Sequence, residues 1–272
     1  MAVLGVVAAC AAPQAGQDAS ATSTGDTVTE IGGRVYGTAV DSSGQRIDLR
    51  LDLFLPGRAT AEPRPTVVFV HGGGFAFGSR SDYRSDATSW AEAGWVAASV
   101  DYRLQDSEEA VKTSTAAAQA INDAGDAVRW LVANAEDYGI DPDRIVAMGG
   151  SAGGFIVLSP WLGPAPTELP VVPFPDVAAV VASGATLEAA RPVIGMASAG
   201  PPALLLHHET DAAAGTDGET IDDAFRTCDA ITAVEGVCQV IELPGEGHLV
   251  SLAHDGPVAA QLIDFLAAHV RF

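Results

Sequence analysis

The sequence predicts an α/β fold: a mostly parallel sheet with helices on both faces, entered through an antiparallel hairpin. Three observations carry this. Strand-like and helix-like segments alternate from Val35 to the last residues with short links between them. Several strand segments are unbroken apolar runs, Thr66-Val67-Val68-Phe69-Val70 foremost, the pattern of strands buried on both faces. One long segment, Ser114 to Ala135, repeats apolar residues at helical spacing, with Ala120, Ile121, Ala124, Val128 and Leu131 on one stripe. With 272 residues, 48% of them hydrophobic, the chain buries a sizeable core, and a single large domain accounts for the alternation.

In chain order, Leu4 to Cys10 is apolar and ends in small residues before a cysteine. Val7-Ala8-Ala9-Cys10 resembles the lipobox of a bacterial lipoprotein signal, which would make Cys10 the lipidated first residue, although no Lys or Arg precedes the run. A plain secretory signal or an apolar tail are the alternatives. Residues 11–32, rich in Ala, Ser, Thr, Gly and Asp, read as a flexible tether, and residues 33–272 as the single domain. The expected location is exported, as a cell-surface lipoprotein or a secreted protein. Any membrane association is expected only through an N-terminal lipid anchor, since no other run is apolar enough to span a bilayer.

Val35 to Val40 and Arg46 to Leu55, joined by Asp41-Ser42-Ser43-Gly44, form the hairpin. In its second arm Ile47, Leu49, Leu51, Leu53 and Leu55 alternate with Asp48, Arg50, Asp52 and Phe54. After strand 66–70 come a helix over 81–93, a strand over 95–100 and the long helix. Tyr138-Gly139-Ile140-Asp141-Pro142 stops that helix, and Arg144 to Met148 is the next strand. Residues 160–175 are rich in proline and apolar side chains, Trp161 and Phe174 among them, and read either as a small lid or pocket rim or as a stiff connection. Strands over 177–182, 203–207 and 239–243 and helices over 220–234 and 256–270 complete the chain. Cys228 and Cys238 are either a disulfide or two buried thiols; a bridge would contribute roughly 2–3 kcal/mol.

Lys and Arg total 14 against 35 Asp and Glu, a formal charge of −21. That excess argues against nucleic acid or an anionic membrane as a partner. The scattered carboxylates show no metal-ligand pattern, so no metal or organic cofactor is expected.

Candidate chemistry centres on Gly149-Gly150-Ser151-Ala152-Gly153, a G-x-S-x-G between the strand at 144–148 and the apolar Phe155-Ile156-Val157-Leu158. A serine on a strand-to-helix turn needs a strained backbone, and glycines two residues either side relieve the clash with neighbouring elements. The turn lifts Oγ above the sheet, where helix-end N–H groups favour developing negative charge. A serine hydroxyl needs a base. Of six histidines, His248 in Pro244-Gly245-Glu246-Gly247-His248 directly follows the last strand; His254 is its competitor. The base needs an acid, and Asp211 in Leu206-His207-His208-Glu209-Thr210-Asp211 fits, with Glu209 as the alternative. The oxyanion needs N–H donors. Ala152 follows the nucleophile, and His71-Gly72-Gly73-Gly74 after strand 66–70 supplies the others.

With HGGGF, GGSAGG, HHETD and GEGH in that order, residues 33–272 resemble the hormone-sensitive-lipase-like branch of the α/β-hydrolases, closest to compact bacterial feruloyl- or acetyl-esterases. Asp101-Tyr102-Arg103-Leu104 and Tyr138 to Ile145 also match phrases of that group. The resemblance implies an α/β-hydrolase fold with Ser151 as nucleophile, Asp211 as acid, His248 as base, and Gly73, Gly74 and Ala152 as oxyanion donors. It implies a carboxylesterase acting on small-molecule or polymer-attached esters. The chain departs from the pattern at Gly150, where the family has aspartate, and at His208, where it has glycine. A helical cap is expected to be missing or minimal, which suits short-acyl or carbohydrate-linked esters. A serine peptidase on the same fold, or a non-catalytic surface lipoprotein that only binds, are the competing expectations.

Overall fold

The computed structural model describes residues 27–58, 60–106, 114–163, 172, 174–188, 191–211 and 220–270. The signal and tether readings for residues 1–26, including Cys10, lie outside them, as do residues 164–171 and 173 of the proline-rich segment.

Eight strands form one sheet: β1 Thr29–Val40, β2 Arg46–Leu55, β3 Arg64–Val70, β4 Val96–Val100, β5 Ile140–Gly150, β6 Ala179–Ser183, β7 Ala203–Asp211 and β8 Cys238–Gly247. Their order is β1-β2-β4-β3-β5-β6-β7-β8. β1 pairs with β2 and β2 with β4 antiparallel, and every other pair is parallel. The helices are α1 Arg84–Glu92, α2 Ser114–Ala133, α3 Ala135–Tyr138, α4 Ala152–Leu158, α5 Arg191–Ile194, α6 Ile221–Ala233 and α7 Ala259–His269.

Alternate residues of the central strands feed two cores. Val68, Val70, Ala147, Val180, Ala182 and Leu205 pack with α2, α4 and α6. Val67, Phe69, Val146, Met148, Val181 and Leu204 pack with Trp90 of α1 and with Leu262, Phe265 and Leu266 of α7. The unbroken apolar runs arise because both parities are buried.

Three segments differ from the sequence reading. β1 starts at Thr29, inside the stretch read as tether, because Thr29, Glu30 and Ile31 pair with Leu55, Phe54 and Leu53. Register shifts between Ile31 and Arg34 and between Val35 and Gly37 break the alternation that would have revealed the strand. The long helix ends at Ala133, and a separate turn, α3, stops at left-handed Gly139, φ 65°. Of the third, read as a lid, a pocket rim or a stiff connection, Trp161 lies in the core rather than at the surface. It is fully buried, and its Nε1–H donates to Pro201 O at 3.0 Å.

The strand order positions the site. From β3 the chain moves outward to β4 and then crosses back over β3 to β5, so connections leave the adjacent carboxyl ends of β3 and β5 in opposite directions. That divergence opens the crevice in which open α/β sheets hold ligands.

Candidate active site

Ser151 turns β5 into α4 with φ 53° and ψ −124°. A non-glycine residue there is strained, and such strain persists only where the surroundings impose it. Here they do. A Cβ at Gly149 would lie 2.5 Å from Gly153 C and O. One at Gly153 would lie 2.6 Å from His71 O and closer still to Val70 O. The Ser151 N–H donates to Ser183 O at 2.8 Å, which ties the turn to the end of β6.

The glycine loop after β3 lies directly on this turn. A Cβ at Gly72 would be 2.9 Å from Gly150 O. Gly73 and Gly74 take φ values of 99° and 59°, and Ala76 and Phe77 N–H both donate to Gly73 O at 3.0 Å. The N–H groups of Gly73, Gly74 and Ala152 have no acceptor among the described residues, so they are available to an anion. Three side chains strap the loop. The Tyr102 hydroxyl is shared between His71 O and Gly72 O, 3.1 Å from each. His71 stacks on the Tyr102 ring at 4.2 Å. Arg80 reaches Asp52 at 2.8 Å and Asp101 at 2.6 Å. The Asp101-Tyr102-Arg103 phrase thus has a local meaning: Arg103 forks onto buried Asp123 of α2 at 2.8 and 2.6 Å, while its neighbours hold the loop.

β7 and β8 bring together two residues far apart in sequence. Their ladder continues past a bulge between His208 and Thr210 to the pairs Thr210–Glu246 and Asp211–Gly247. Asp211 therefore ends its strand one residue short of level with His248. The Nδ1–H of His248 donates to the Asp211 carboxylate, 2.9 Å from each oxygen. Asp211 is buried and His248 half-buried. The last strand does not end at residue 243 as the sequence predicts: Gly245-Glu246-Gly247 continue it. Left-handed Gly245, φ 79°, donates its N–H to Glu209, which occupies that competing carboxylate. Ser183 joins the two halves of the site, since its O accepts from Ser151 N and its Oγ from Val250 N at 3.1 Å. The Ser151 hydroxyl itself has no hydrogen bond among the described residues; such contacts often tighten only with substrate present.

The other histidines are placed elsewhere. His254 packs edge-on against Trp90 at 4.9 Å, with its N–H on Ser89 Oγ. His269 lies against Phe265. The His208 ring covers Gly247, where a Cβ would come 2.5 Å from Nε2; the His208 departure is thus matched by a glycine opposite. His207 is buried, with Nε2 3.6 Å from Asp211 Oδ2. Nothing in the sequence singled it out, because its importance comes from the i, i+4 geometry of the bulged strand end. Cys228 of α6 and Cys238 of β8 are bridged, with Cα atoms 5.2 Å apart.

Burial lowers the pKa of both His71 and His254, since desolvation disfavours the imidazolium. A histidine with a lowered folded-state pKa takes up its proton more readily when unfolded. Its stabilisation is complete above about pH 6.5 and is lost as the pH falls below that value. Thermal melts should therefore show Tm falling from about pH 7 to about pH 5. His254→Phe, which keeps a ring on Trp90, should flatten that slope; an unchanged slope would remove His254 from the account.

Residues 51–160 match the BD-FAE family model, an esterase-like α/β-hydrolase domain. The structure superposes on esterase 2 of Thermogutta terrifontis, solved phosphorylated by paraoxon, with a TM-score of 0.66 and 23% identity over 89% of this chain and 96% of that one. The chain has the fold of that esterase, the α/β-hydrolase fold. The same esterase with propionate bound superposes on this chain with a TM-score of 0.65. In sequence, the chain is 31% identical to the non-reducing polyketide synthase pkbA of Emericella nidulans over 134 residues, 45% of its length. It is 36% identical to lipase 2 of Moraxella sp. over 89 residues, 32% of this chain. It spans only 5% and 19% of those two relatives. The family match takes in Gly73, Gly74, Ser151 and Ala152 and stops before Asp211 and His248.

Proposed function

We propose that the protein is a serine carboxylesterase for short-acyl esters, including esters on carbohydrate hydroxyls. The observation that carries the reading is the Asp211–His248 hydrogen bond beside a serine on a strained strand–helix turn. In this reading Nε2 of His248 takes the Ser151 proton as Oγ attacks the ester carbonyl. The oxyanion rests on the N–H groups of Gly73, Gly74 and Ala152. Asp211 holds the tautomer that leaves Nε2 free to accept, and stabilises the imidazolium once formed. The imidazolium then protonates the departing alcohol. Water, deprotonated by the same Nε2, attacks the acyl-enzyme, releases the acid and restores the serine. The propionate-bound esterase of the same fold supports a short acyl group.

The test is a series of p-nitrophenyl acetate, butyrate and decanoate, run with a phosphonylating reagent as a trap. Rates should fall with chain length, and the trap should add its mass to the peptide holding Ser151. Faster hydrolysis of the decanoate would overturn the short-acyl assignment, and a trap found on another residue would overturn the nucleophile.

A further inference from the structure

We propose that Tyr83 reads the alcohol half of the ester, through a hydrogen bond to a second hydroxyl on the carbon next to the one bearing the ester oxygen. The assignment rests on the esterase reading above and names a selectivity that reading leaves open.

Position is the first ground. A Cβ at Gly150, the residue before Ser151, would lie 2.8 Å from Tyr83 Oη and 3.0 Å from a methyl of Leu249. Tyr83 and Leu249 therefore converge on one point at the nucleophile's shoulder. Leu249 is the residue after His248. Because His248 must hand its proton to the departing oxygen, the alcohol leaves on the His248 side, and this is the wall it meets. The carbonyl oxygen is turned instead toward Gly73, Gly74 and Ala152.

Availability is the second ground. The Tyr83 hydroxyl has no hydrogen-bond partner among the described residues, and it is not among their sealed-off polar atoms. Its ring is fixed, stacked on fully buried Phe69 with centroids 5.0 Å apart. Burial, helped by Asp86 and Asp82, pushes its pKa well above the ordinary phenol value, so the group stays a neutral donor. Leu249 beside it is 48% exposed and offers an apolar surface for the carbon skeleton. A preset polar group next to an apolar contact fits a diol-like alcohol better than a plain alkyl one.

The same geometry accounts for Gly150. A side chain there would meet the ends of the phenol and the leucine, which would have to shift to admit it.

The experiment compares kcat/KM for 2-hydroxyethyl acetate and n-propyl acetate, whose alcohols differ only by hydroxyl for methyl. In Tyr83→Phe the ratio of the first to the second should drop by about threefold to tenfold, the worth of one neutral hydrogen bond. If the two rates fall together and the ratio is unchanged, Tyr83 is only packing and the proposal is overturned. If the native enzyme hydrolyses no acetate ester at all, including p-nitrophenyl acetate, the esterase reading fails and takes this assignment with it.

Discussion

Replacing Ser151 by alanine is expected to lower kcat for p-nitrophenyl acetate by about 10⁴- to 10⁶-fold while Tm stays within about 2 °C of the native value. The substitution removes chemistry and leaves architecture. Alanine keeps the Cβ, so the turn at φ 53° is no more strained than before. The backbone bond from residue 151 N–H to Ser183 O is also kept. Only Oγ is lost, and with it the acyl-enzyme. The remaining N–H donors still polarise a bound carbonyl, which leaves a residual rate above water. Retention of more than about 1% of activity would mean that another group carries the chemistry.

Gly153→Ala is expected to destabilise the fold by about 4 kcal/mol or more, lowering Tm by roughly 8–16 °C. The added methyl meets backbone: His71 O at 2.6 Å, Val70 C at 2.7 Å, and Val70 O closer still. Those atoms belong to the end of β3, whose Val67 to Val70 are buried in both cores, and they have no side-chain freedom with which to yield. Relief comes only by separating α4 from β3, and that same movement draws Ser151 away from Gly73 and Gly74. The comparison is Gly74→Ala. Its Cβ meets nothing within 4 Å, so its cost is confined to the positive φ of 59°, about 1 kcal/mol. Similar losses for the two variants, read by thermal melts, would show that the crowding at Gly153 is relieved without parting α4 from β3.

Much of this molecule was legible in its sequence because its central strands are sealed on both faces. Thr66 to Val70 and Ala203 to Leu206 admit no other reading in a chain of this length. G-x-S-x-G was legible for the same reason that Gly153 cannot change: the turn dictates residue type by exclusion. What stayed hidden depends on register. Nothing local in His207 to Asp211 or in Gly245 to His248 says that the two segments pair past a bulge, yet that pairing sets Asp211 against His248. The start of β1 was concealed likewise by two register shifts. Tyr83 was invisible because its meaning lies in three residues from three segments meeting at one point.

The placement of Asp211 and His248 on the outermost parallel strands has a consequence for how this protein would lose the proposed activity on warming. Among the described strands β8 is bonded to β7 alone, and it is exposed at many of its positions. Edge segments of this kind exchange their amide protons through local openings well below the global unfolding energy. Opening β8 would part His248 from Asp211 while the serine turn, rooted in the central strands, stayed intact. The Cys228–Cys238 bridge riveting the start of that strand to α6 acts against this mode of failure. Reduced protein would then pass through a state that is folded by every optical measure and yet silent, Ser151 in place and His248 adrift.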